Sequence, residues 1–130
     1  MITLENVVIN AINKVLSIQY PEAFVTAGYI QSTSQFPCVQ VVEIDNRVFE
    51  RATSLSEIEV MATIVIEINF YSNKTSGKKE ECRKMAVITD KVMEDLGFMR
   101  ILFSQTPNYE DATVYRMTGR WQKIQARANN

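Results

Sequence analysis

Residues 60–71 read VMATIVIEINFY. Every second position from Val60 is apolar: Val60, Ala62, Ile64, Ile66, Ile68 and Phe70. A period of two puts these six on one face of a strand, with Thr63, Glu67 and Asn69 on the other. A helix would scatter the same residues around its circumference. One apolar face and one polar face is the pattern of an antiparallel sheet covered on a single side.

Two helical segments flank this strand in sequence and supply the cover. Near the N-terminus, Leu4, Val7, Val8, Ala11, Ile12, Val15 and Leu16 recur at three- and four-residue spacing, which makes one apolar stripe. Thr3 is placed to cap this helix and Glu5 to favour its dipole, and Pro21 forbids extension much beyond Ile18. A second stripe runs from Lys78 to Leu96 through Cys82, Met85, Ala86, Thr89, Val92 and Met93, with Gly97 as its C-terminal stop.

The remaining segments read as strands. Phe24–Gln31 and Cys38–Ile44 precede the central strand; Phe98–Ser104 and Ala112–Gln125 close the chain. The last strand alternates, with Tyr115, Met117 and Trp121 on one face and Arg116, Thr118, Arg120 and Gln122 on the other. Residues 45–59, DNRVFERATSLSEIE, mix charges with Val48, Phe49, Leu55 and Ile58. The segment reads either as a loop or as a hairpin arm whose flanks continue the neighbouring strands. Loops of this length inside a compact domain are functional or disordered.

The fold expected is α+β: two helices packed on one face of a mainly antiparallel sheet of about five strands, with a projecting β-hairpin arm. A length of 130 residues suits one domain. The arm spans 45–59 and a frayed tail spans 126–130.

Composition narrows the function. The chain is 46% hydrophobic and 22% charged with a net charge of -1, an ordinary globular balance that favours neither nucleic acid nor membrane as a general partner. No run is apolar enough to span a bilayer, and no basic-then-apolar leader opens the chain. Cys38 and Cys82 are far apart and form no metal or redox motif, as expected of buried thiols in a reducing compartment. There is no histidine, which removes Ser-His-Asp and Cys-His nucleophile systems and most catalytic zinc sites. No phosphate-binding glycine motif is present. We therefore expect no enzyme, no catalytic residues, no metal and no cofactor.

Two surface features stand out. Lys74, Lys78 and Lys79 crowd the start of the second helix, where cations are mildly disfavoured; they form either a solvated face or a docking patch for an acidic neighbour. The polar sheet face carries Glu67, Arg116 and Arg120, which either solvate it or meet another copy of the chain. Arginine suits an interface because its planar fork pairs with carboxylates. A small-ligand pocket near Tyr29, Arg116 and Arg120 is the enzyme-like alternative.

Several stretches together carry a resemblance: VFERATSLSEIEVMATIVIEINFYSNKTSGKKEECRKMAVITDKVMEDLGF, then NYEDATVYRMTGRWQ. The most specific pieces are YSNKTSGKKEEC and PNYEDATVYRMTGRW. In order and spacing the chain resembles the tail terminators, also labelled tail-completion or minor capsid proteins, of long-tailed bacteriophages and prophages. The resemblance implies a homo-oligomeric ring, typically a hexamer, that caps the tail tube, stops its elongation and offers a head-joining surface. It implies as partners the tail tube protein and a head-completion or connector protein. DNA would pass through the lumen without specific binding, and no membrane is involved. The protein would be assembled in the bacterial host cytoplasm and reside in the neck of the virion. The arm (Val48, Phe49, Leu55, Ile58) and the face of Glu67, Arg116 and Arg120 would then be interface. A head-completion protein, or the terminator of a contractile tail or tailocin, fits the same resemblance.

Overall fold

The computed structural model describes residues 1–28, 35–48, 61–107 and 112–126. In chain order the elements are α1 (Glu5–Gln19), β1 (Phe24–Ala27), β2 (Cys38–Val48), β3 (Met61–Ser72), α2 (Lys78–Asp95), β4 (Met99–Gln105) and β5 (Tyr115–Ala126). The five strands form one sheet in the order β1-β2-β3-β5-β4. The pairs β2–β3, β3–β5 and β4–β5 are antiparallel, whereas β1 runs parallel to β2. The protein is an α+β fold, as the alternating and helical periods predict.

The central strand follows the sequence pattern closely. Ala62, Ile64, Ile66, Ile68 and Phe70 are fully buried in one cluster. Val8, Ile12 and Leu16 of α1 join it, as do Cys82, Met85, Ala86, Val92 and Met93 of α2. Full burial of side chains of this size stabilises by about 1.5–3 kcal/mol each relative to exposure, so this cluster is the main cohesive element. Trp121 and Met117 of β5 complete it.

Several expectations are corrected. The stripe of α1 is narrower than its periodicity suggests, because Val7 and Val15 are 51% and 40% exposed. Thr3 does not cap α1; Leu4 holds the N-cap position without a side-chain bond. The Thr3 hydroxyl instead donates to Glu43 Oε1 at 3.5 Å. Glu5 does more than complement the helix dipole: its carboxylate accepts the Glu43 backbone N–H at 2.9 Å. This bond falls beside a register shift between Glu43 and Asp45. Such bulges leave ladder groups in need of other partners.

The boundary of the arm also moves. Asp45–Val48 belongs to β2, with Asp45 opposite Val65 and Val48 opposite Ala62. The rest of the expected arm, including Phe49, Leu55 and Ile58, lies outside the described residues, as do Tyr29, residues 108–111 and the tail beyond Ala126. The last strand starts at Tyr115 rather than Ala112.

Candidate functional site

The register of β2, β3 and β5 builds the polar face row by row. Gln40, Asn69 and Thr118 are direct cross-strand partners, and so are Val42, Glu67 and Arg120. Tyr71 lies opposite Arg116. All of these occupy the face opposite Ile66, Ile68 and Phe70, because strand side chains alternate.

This face is buried far more than an outer polar face should be. Gln40 is 2% exposed, Glu67 5%, Asn69 0% and Thr118 5%. A buried polar group is costly unless it is hydrogen-bonded, and these are bonded to one another. Asn69 Oδ1 accepts from Arg116 Nε at 3.1 Å, Arg116 Nη2 at 2.9 Å and Thr118 Oγ1 at 2.6 Å. Thr118 Oγ1 in turn accepts from Thr106 Oγ1 at 2.7 Å. The Asn69 amide donates to Gln40 Oε1 at 3.4 Å and to Glu67 Oε2 at 3.3 Å. Tyr71 donates to the same Gln40 oxygen at 3.4 Å, and the Arg116 guanidinium lies 5.7 Å from the Tyr71 ring centroid.

Glu67 and Arg120 form the charged end of this network. Arg120 Nε and Nη2 each lie 3.1 Å from Glu67 Oε1. The carboxylate is buried, while the arginine side chain is 45% exposed. Glu67, read from sequence as a partner for a neighbouring molecule, is thus neutralised within its own chain. The two arginines are ordered and positioned by β3, and Arg120 reaches the surface. Chemically, the arrangement fixes strand alignment and holds a cation at the surface; it presents no nucleophile with an adjacent base.

The basic start of α2 is also partly tied down. Gly77 takes φ +82° ahead of the helix, a conformation suited to glycine. Ser72 donates to Glu81 Oε1 at 2.8 Å, and Lys74 Nζ lies 3.6 Å from Glu81 Oε2. Glu81 is buried, so the sequence SNKTSGKKEE builds an internal clasp between β3 and α2. Of the three candidate docking lysines, Lys74 serves this clasp. Lys79 is exposed, and Lys78 is half-buried in a cleft with Tyr115 and Arg116. Cys82, next to Glu81, is buried and its thiol is pushed up to about 12 by burial and by the Glu81 charge. It is a poor nucleophile at neutral pH. Among the described residues no group of three His, Cys, Asp or Glu side chains could hold a metal.

Sequence reasoning missed the apolar surface. Met99, Ile101 and Leu102 of β4 are 66%, 48% and 42% exposed, Val87 of α2 is 71% exposed and Ile18 of α1 is 79% exposed. Among the described residues β4 is an edge strand. A cleft of about 490 Å³ between α2 and β4 is lined by Val87, Asp90, Arg100, Ile101 and Trp121, among others. The signal lay in Met99–Phe103, five residues with one charge and apolar groups on both strand faces.

Comparison with known proteins adds no assignment: no protein-family model matches the chain, and no curated protein matches it.

Proposed function

We propose that this protein is a structural subunit of a phage-like tail. In this reading, copies assemble into a ring that caps the tail tube, ends its elongation and offers the surface for head joining. The observation that carries the assembly component is β4, an edge strand whose Met99, Ile101 and Leu102 are solvent-exposed. Apolar side chains on a strand edge left open by the described residues invite pairing with another chain. The tail assignment itself rests on the sequence resemblance, whose implied α+β fold agrees with the architecture above.

Within this reading the tube protein and a head-completion or connector protein are the neighbours. Arg120, Arg116 and the segment from Val48 through Phe49, Leu55 and Ile58 are candidate contact residues. The exposed Lys79 and the half-buried Lys78 are candidates for docking an acidic neighbour. DNA passes through the lumen, and a chain with a net charge of -1 would not hold it strongly.

The test is tail length, measured by electron microscopy in particles assembled without this protein. Overlong, variable tubes lacking heads are expected. Tails of normal length still lacking heads would move the protein to the head side of the joint. Normal, complete particles would overturn the structural reading altogether.

A further inference from the structure

We infer that the seam between α2 and the β4 edge is a docking groove for an extended segment of another protein, apolar at one end and acidic at the other, which pairs with β4 as an added strand. This rests on the reading above, in which β4 meets another chain, and gives that chain a chemistry.

β4 pairs with β5 on one side, and among the described residues no strand lies on its other side. The outward backbone groups of such an edge are satisfied by an added strand and not by a helix, whose own groups are bonded internally. α2 runs alongside β4 in the opposite direction. Asp90 is bonded to Arg100 at 3.2 Å, Arg83 and Val87 share a cleft with Ile101 and Phe103, and Lys78 shares a second cleft with Gln105. Lys79, Arg83, Ala86 and Asp90 recur at three- and four-residue spacing, which is one face of a helix. The last three of these line the cleft with β4, so Lys79 lies on the same face a turn nearer the start of α2. Lys79 to Asp90 along the helix and Arg100 to Gln105 along the strand each cover about 17 Å. The two walls therefore match in length.

The two ends of this groove differ in charge. Asp90 and Arg100 neutralise each other at one end. At the other end Lys78, Lys79 and Arg83 have no paired carboxylate among the described residues, because Glu80 is held by Lys84, and Glu81 by Lys74 and Ser72. Lys78 and Lys79 open α2 at its positive end, where cations are disfavoured, and an external carboxylate relieves that cost. Between the ends, Val87 is 71% exposed and Ile101 48%, an apolar seat for a side chain of the added strand. The complement is a strand whose α2-facing side chains are apolar beside Ile101 and acidic beside Gln105. A second copy does not supply it from its described sheet edges: β1 (FVTA) and β4 (MRILFSQ) contain no carboxylate.

The test uses fluorescent peptides of about seven residues, the length of β4. On one strand face they carry valines at one end and glutamates at the other, with threonines between, in both chain orders. Each is titrated with the full chain, and anisotropy reads the binding. Saturable binding of one order is expected, weakened about tenfold by the double change Lys79→Glu and Arg83→Glu. The double variant should instead bind the peptide with lysines in place of glutamates. Both positions are exposed, so its melting temperature should stay unaltered. Amide hydrogen exchange should slow in β4 when the peptide binds. No saturable binding of either order up to about 1 mM, affinity unchanged in the double variant, or slowing at β1 in place of β4 would each overturn the proposal. Slowing in β4 that grows with protein concentration in the absence of peptide would place a second copy there and overturn it too. The tail-length experiment is independent of this one. Overlong tubes without peptide binding would reject the groove alone; peptide binding alongside normal tails would reject the tail assignment alone.

Discussion

Gly119 lies beneath the indole of Trp121: a β-carbon on Gly119 would collide with two carbons of that ring and approach Phe103 Cδ1 at 3.3 Å. The tryptophan is 1% exposed, so the missing side chain at 119 makes the room that Trp121 fills two residues along the same strand. The glycine inside the alternation of β5 is therefore a packing requirement.

Gly119→Ala should destabilise the fold by about 1–3 kcal/mol, the range for overpacking a tight core. Chemical denaturation followed by circular dichroism measures the loss. Trp121 is the single tryptophan, so its native fluorescence should change in the same variant. An unaltered midpoint and spectrum would contradict the packing account.

Asp90 holds the other end of the same indole. Trp121 Nε1 donates to Asp90 Oδ1 at 2.9 Å, and Arg100 Nη1 lies 3.2 Å from Oδ2. Asp90→Ala strands a buried donor and should cost about 1–3 kcal/mol. Asp90→Asn keeps an acceptor for the indole and should cost less. Equal losses in the two variants would mean that the hydrogen bond matters little.

The Glu67–Arg120 pair should respond unequally to loss of its two members. Arg120→Ala leaves a buried carboxylate without its salt bridge, whereas Glu67→Gln frees a half-exposed arginine that water can solvate. We expect Arg120→Ala to cost about 2–4 kcal/mol and Glu67→Gln clearly less. Thermal melts of both variants decide it, and the reverse order would mean that Arg120 contributes mainly elsewhere.

Alkaline pH should weaken the fold through Cys82. Its thiol is raised from 9.0 to about 12 by burial first and by Glu81 second. The unfolded chain therefore releases this proton at lower pH than the native one. The stabilisation is full below about pH 9 and is lost as pH rises toward 12. Tyr115, raised chiefly by burial, acts in the same direction. Cys82→Ser, which does not titrate there, should flatten the decline between these limits. An unchanged slope would remove Cys82 as its cause.

The two helices and the central strand were legible because their apolar residues repeat with the period of the element. Ala62, Ile64, Ile66, Ile68 and Phe70 are all buried on one strand face, and Cys82, Met85, Ala86, Thr89, Val92 and Met93 are all buried as their spacing predicts. The polar face was legible in membership but not in meaning. Alternation placed Glu67, Asn69, Arg116, Thr118 and Arg120 together, yet register alone sets Glu67 opposite Arg120 and Asn69 opposite Thr118. Such pairings are long-range in sequence, with no local signal. The Thr3 cap failed for a related reason: a tertiary partner, Glu43, competed with the local helix end. The parallel β1–β2 pairing was likewise invisible, since a short strand carries no mark of its direction.

The most direct measurement of the central claim is tube length in vitro. Cognate tail tube protein is polymerised with increasing amounts of this protein, and tube length and tube ends are scored by electron microscopy. Mean length should fall with dose, and tube ends should carry an annular cap. Tubes that reach the same length with bare ends at every dose would contradict it.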